Sequence, residues 1–321
     1  MYKEKKRVEW IDISKGILIS LIVLGHIISD NENSIQTWIY SFHVCGFFII
    51  NGFLKGTCSY FSKVKNIYEC LYKEKKIFFV YIIFSFIFFI RLLIQAKMGM
   101  YTDADLYTFV IHFVFGMGEG VLWYIPTFVC GDILFYYFMN KRYEGKKRIL
   151  FLIVMTLFLV GEYTYIYING IDITRVNTIL HVLAIVALRG SIAFSFMVIG
   201  YVCYTKKIFE SNRVLILASI ISLFSLINGN VDLNHLQFNN LVLYYLFAIS
   251  GTFFVIFLSK FLSVHCSYLK RIISYWGKHS LIIMITHAIF LIYQVSEKIV
   301  LQVYDNGIIR IVGTYVLTMI I

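Results

Sequence analysis

Apolar residues run through this chain in long continuous blocks, broken by short polar stretches, from Ile11 to the last residue. Windows of about twenty residues, the length that crosses a bilayer as a helix, place spans near 11–29, 35–54, 77–95, 121–139, 149–168, 191–204, 214–228, 241–259, 279–295 and 308–321. The sixth and seventh are short. Residues 107–116 and 174–188 are apolar enough to lie in the interface or to re-enter. Nowhere do the blocks alternate with the period of two that a membrane barrel requires. The pattern therefore predicts an all-α, polytopic transmembrane helical bundle of about ten spans. No linker, low-complexity tract or repeat divides it, so residues 1–321 read as a single membrane domain.

Composition agrees. Of 321 residues, 60% are hydrophobic and 15% charged, with a mean hydropathy of +0.78. A soluble chain of this length could not hide so much apolar surface. The net charge of +11 raises the question of nucleic acid. Its distribution answers it, because the intervals alternate sharply in basic content. Those on the N-terminal side of the membrane hold 22 Lys and Arg, and those on the other side hold 4. That asymmetry is the positive-inside bias, which puts the N-terminus in the cytoplasm and leaves no nucleic-acid partner to explain. The six cysteines are scattered, with neither a CxxC pair nor metal-ligand spacing, so no metal is expected. The basic start followed by an apolar run lacks a small-residue cleavage site and reads as a retained first span. The chain stops on an apolar run, Tyr315 to Ile321, so the last span looks curtailed.

The candidate chemistry begins in the first span, IDISKGILISLIVLGHIISD. Lys15 and His26 are eleven residues apart, about three helical turns, so they share a face and stand roughly 16 Å apart along the axis. Asp12 falls near the same face, one turn from Lys15. Ionisable groups at such depth are functional candidates. A neutral imidazole in a dry site can take a proton from a hydroxyl, as acyl transfer to an alcohol requires. A lysine near the cytoplasmic mouth could hold the phosphates of a nucleotide-like donor. Equally, His26 could hydrogen-bond a neighbouring helix while Lys15 snorkels to the interface. Further along come SFHVCGFFIINGF with His43, LYKEKKIFF with Lys73 and Lys76 one turn apart, GVLWYIPTF with Trp123, and YWGKHSLIIMITH with a further in-span histidine. Taken singly, each has a bland structural explanation.

In this order the segments resemble acyltransferase family 3, most closely its fucose 4-O-acetylase-like branch, over nearly the whole chain. The resemblance implies a catalytic role for His26 and an acyl-CoA-engaging role for Lys15. Lys73 and Lys76 match the family's basic pair ahead of its third span, with point charges where arginine forks are common. Trp123 matches the recurrent tryptophan of a Trp-aromatic-x-Pro segment, and His43 the histidine of a Ser-Phe-His pattern. Val44-Cys45 stands in place of Met-Pro, and Met284 where many members have tyrosine.

The function so implied is O-acyl transfer in the bacterial cytoplasmic membrane. Acyl-CoA, most simply acetyl-CoA, would be the donor, held by Lys15, Lys73 and Lys76. The acceptor would be a hydroxyl of a cell-envelope polysaccharide or lipid-linked sugar, met by Asp12, His43 and Trp123, with His26 as general base. Direct transfer and a covalent acyl-histidine both remain open. The rival reading is a polysaccharide exporter or flippase of the same superfamily.

Overall fold

The computed structural model describes residues 8–28, 33–57, 60, 64, 66–139, 156, 175–303 and 307–321. Among them the chain is helical, with one isolated bridge, Asp232 to Gln237, in place of any sheet. In chain order the helices are α1 (Glu9–Ile27), α2 (Ser34–Tyr40), α3 (His43–Thr57), α4 (Ile67–Lys97), α5 (Asp103–Val114), α6 (Tyr124–Met139) and α7 (Arg175–Thr205). They continue as α8 (Asn212–Ser222), α9 (Leu241–His265), α10 (Ser267–Lys278), α11 (Ser280–Ile289), α12 (Ile292–Leu301) and α13 (Gly307–Ile320).

Local sequence explains where several of them start. Asn66 caps α4, its side chain accepting from the Glu69 amide at 2.8 Å. Thr102 and Asp105 close a reciprocal capping box on α5. The 3₁₀ turn Gly120–Trp123 leads into α6, where Pro126 falls in the first turn and needs no amide proton.

Among the described residues, six helical stretches are long and apolar enough to cross a membrane, and a bent pair would make a seventh. Their outward faces suit lipid. Along α4, Phe78, Phe79, Ile82, Ile83, Phe86, Ile90 and Ile94 are all exposed, a greasy strip that water would not tolerate on a monomer. The expected spans near 11–29, 35–54, 77–95, 121–139 and 241–259 coincide with such stretches.

The rest of the ten-span scheme is revised. The segment 174–188, expected to lie flat or re-enter, is continuous with the short sixth span as the 31-residue α7. At about 1.5 Å per residue that helix is longer than a bilayer core is thick. Residues 214–228 and 308–321 form apolar helices shorter than a full crossing, and 279–295 is broken. The span expected at 149–168 lies outside the described residues, apart from Thr156.

The chain clusters into two compact units. The first comprises Met1–Ile50, Lys206–Val231 and Val242–Ile321. Within it α1 is the central helix, and small residues let its neighbours approach closely. Gly16 sits against the backbone carbonyl of Ile273 on α10, and Gly277 of α10 sits against the carbonyl of Asp12. The Ser259 hydroxyl of α9 donates to the Val255 carbonyl at 2.7 Å and accepts from Ser14 of α1 at 2.9 Å. Gly46 of α3 receives the Leu18 side chain, and Gly251 of α9 receives Phe42. At the outset of α1, Glu9 pairs with Lys270 of α10 at 3.2 Å. The second unit comprises Asn51–Thr205 and Asp232–Leu241. In it Gly52 abuts the Met197 backbone of α7, and Gly131 of α6 abuts Ala193.

The α1–α10 seam has no room for a side chain at residue 277. Gly277→Leu should lower the melting temperature in detergent by the equivalent of about 1–3 kcal/mol. Gly307→Ala, in open space, should leave it unchanged. Equal melting for the two variants would contradict the tight seam.

Candidate functional site

His26 lies in the last turn of α1 and is half-buried. Two aromatic rings from the far end of the chain close around it. The His287 ring of α11 lies 5.2 Å away between centroids, tilted by 45°. The Tyr293 ring, in the first turn of α12, stacks at 6.3 Å from His26 and also lies 6.3 Å from His287. The three rings form one cluster within the first unit.

The backbone that presents this cluster is irregular. α11 and α12 meet at 62° across Phe290 and Leu291. Leu291 adopts the left-handed conformation, φ 57°, which costs a residue with a Cβ roughly 1–2 kcal/mol. There is no proline at this break to force it. The consequence is geometric. A straight helix would carry residue 293 well along the axis past residue 287, whereas the bend returns both rings to His26. Non-helical backbone at membrane depth is tolerated where protein encloses it, and strained residues collect at sites.

His287 is 2% exposed. Its Nδ1–H donates to the Ile283 carbonyl one turn back, at 2.8 Å. Its buried Nε2 therefore carries a lone pair, and among the described residues it has no hydrogen-bond partner. A buried polar atom left unsatisfied in this way is uncommon.

The other expected site residues are placed as follows. Asp12 is buried in α1 and Lys15 is half-buried on the same helix. His43 opens α3, with its Nδ1 donating to the Ile39 carbonyl at 2.8 Å and its ring 4.9 Å from Tyr40. Tyr40 in turn lies against Gly25, next to His26. These belong to the first unit together with His26. Lys73, Lys76 and Trp123 belong to the second. Lys73 and Lys76 are exposed in the second and third turns of α4, and the Lys73 ammonium lies over the Tyr60 ring at 4.5 Å from its centroid. Trp123 is half-buried, with the Arg189 guanidinium 5.4 Å from its ring.

Two cations counted as loop residues in the sequence are in fact buried inside the second unit. Arg189 is 1% exposed and donates to the carbonyls of Met117, at 3.0 Å, and Asn234. It ties two loops to α7. Near it the His235 imidazole bonds Asp232 at 2.7 Å, and that bond raises its pKa above the ordinary value. Lys55 is 4% exposed and forms an ion pair with Asp132 of α6, itself 1% exposed. The Tyr60 hydroxyl donates to the other oxygen of Asp132 at 3.2 Å, and Lys55 also sits over the Tyr60 ring at 4.3 Å.

Removing one member of such a pair strands a buried charge. Asp132→Ala should destabilise by about 3–5 kcal/mol, whereas the double variant Lys55→Met with Asp132→Leu should recover most of the loss. Thermal melts in detergent would show it, and a double variant no better than the single would refute the pairing.

Hydropathy and spacing pointed to His26 but left His287 as an unassigned in-span histidine, and Tyr293 went unnoticed. No spacing rule links residues that far apart, and the break that joins them has no sequence signal. Among the described residues, no group of three or more His, Cys, Asp or Glu is arranged to hold a metal ion. What the cluster offers is a partly accessible imidazole backed by a second, buried imidazole and a tyrosine, an arrangement suited to moving a proton.

No curated protein and no solved structure matches the chain. The family described as "Acyltransferase domain" matches residues 8–321, running through both units. With its membrane-length helices and that match over almost its whole length, the chain belongs to acyltransferase family 3 and is a membrane acyltransferase.

Proposed function

We propose that the group transferred is an acyl group from acyl-CoA, most simply acetyl, and that the acceptor is a hydroxyl. The acceptor class is a cell-envelope polysaccharide or lipid-linked sugar, in keeping with the fucose 4-O-acetylase-like resemblance. His26 is the general base. The observation that carries this reading is the half-buried His26 imidazole, enclosed by His287 and Tyr293 on a broken apolar helix.

The chemistry requires little else. The acceptor oxygen attacks the thioester carbonyl as His26 takes its proton. The carbon–sulfur bond then breaks, and the thiolate recovers a proton from the imidazolium. Lys15, on the same face of α1 about 16 Å nearer the start of the helix, suits the phosphates of a donor whose acyl end reaches His26. Lys73 and Lys76 add an exposed basic surface that attracts a polyanionic donor. With the buried Lys55 and Arg189 set aside, the remaining asymmetry of 21 basic residues against 3 supports a cytoplasmic N-terminus and donor entry from that side, in a bacterial cytoplasmic membrane. Asp12, His43 and Trp123 are proposed on the acceptor side by resemblance.

Membranes holding the wild type or His26→Ala, matched for expression, should be given labelled acetyl-CoA and purified surface glycan. Loss of a general base typically removes about 10²–10⁴-fold of rate, so label should reach the glycan only with the wild type. Equal labelling would show that His26 is structural. A folded wild type that labels no glycan in a broad panel would favour the exporter reading.

A further inference from the structure

The proposed mechanism forms an imidazolium on His26 inside an apolar bundle, where a bare cation is costly. Something must accept the second N–H of that ring. Serine hydrolases use a buried carboxylate behind the base for this purpose. The rings that face His287 are His26 from α1 and Tyr293 from α12. The group in the right place is the His287 Nε2. It is fully buried, its tautomer is fixed by the Nδ1–H bond to Ile283, and it has no partner among the described residues. Centroids 5.2 Å apart allow the facing edges of two imidazoles to come within about 3 Å, the reach of an N–H···N bond.

We propose that His287 is the positioning residue behind the base, its Nε2 accepting a hydrogen bond from the His26 imidazolium during acyl transfer. The inference rests on the preceding assignment of His26. The proton bookkeeping closes without any further reactant. The hydroxyl proton passes to His26 as the new carbon–oxygen bond forms. His287 accepts the N–H on the opposite nitrogen of the His26 ring while the carbon–sulfur bond breaks, and the proton on the substrate-facing nitrogen passes to the departing thiolate. His287 is never itself ionised, so one buried cation suffices. The left-handed Leu291 and the bend beside it bring Tyr293 onto the same two rings, which limits how far His26 can swing away.

Two substitutions separate this role from plain packing. His287→Asn keeps a donor for the Ile283 carbonyl and removes the ε acceptor. His287→Gln places an amide oxygen where Nε2 was. Asn should lower kcat by about tenfold to a hundredfold with the KM for acyl-CoA within about twofold. It should also move the acid limb of the pH–rate profile to lower pH, because the imidazolium has lost its acceptor. Gln should restore a substantial part of kcat and of the profile. If both variants melt early and lose activity alike with an unmoved pH profile, His287 is structural and the proposal fails. It fails too if Asn transfers at the wild-type rate.

A measurement without turnover keeps the two claims apart. In ¹⁵N-histidine spectra of the detergent-solubilised protein, the His287 Nε2 signal should shift as His26 is protonated, while His287 stays neutral, and the His26 titration should change in His287→Asn. A His287 signal that ignores the protonation of His26 would overturn the pairing even in an active enzyme. Coupled rings in a protein that transfers nothing would instead overturn the acyl-transfer reading.

Discussion

A polar side chain inside an apolar bundle must find its partners within the protein, and that constraint organises this molecule. Water is not available to satisfy a stray donor or a lone cation. The chain answers in two ways. In the second unit, Lys55 and Arg189 are each fully enclosed, one by Asp132 and Tyr60, the other by two backbone carbonyls and the face of Trp123. In the first unit, the His26 ring meets His287 and Tyr293, and the buried His287 Nε2 is left without a hydrogen-bond partner among the described residues. An unpartnered buried base beside a second imidazole marks a place where a reaction can use it.

Packing supports that arrangement from the other side of α1. Gly16 and Gly277 bring α1 and α10 into backbone contact, and the Ser14–Ser259 bond fixes α9 on the same helix. A helix gripped in this way holds His26 steady. The break at Leu291 does the complementary job, turning α12 so that a tyrosine six residues past His287 returns to the same ring. Local strain in one residue thus positions two aromatic groups. It also explains why the helix kinks there in the absence of proline.

Much of the frame was legible in the sequence. Span-length apolar blocks identify α1, α3, α4, α6 and α9 because hydropathy in a bilayer is a strong and local signal. The spacing of Lys15 and His26 puts them on one face because helical geometry is regular. What failed was non-local. Hydropathy reads Lys55 and Arg189 as loop cations, since it cannot see that Asp132 or a backbone carbonyl waits for them. It splits α7 in two because His181 and Arg189 interrupt an apolar run that the fold carries straight through. It joins α11 to α12 because no residue type announces the left-handed turn at Leu291. His287 falls to the same limit. Its value comes from a neighbour at the other end of the chain.

The account stands or falls on where the acyl group sits. The most direct test is a cryo-electron microscopy structure of the protein with a non-hydrolysable acyl-CoA analogue in a lipid nanodisc. The account predicts density for the acyl carbonyl within hydrogen-bond reach of the His26 ring, with His287 directly behind it. An acyl end resolved elsewhere, with the two imidazoles out of its reach, would contradict it.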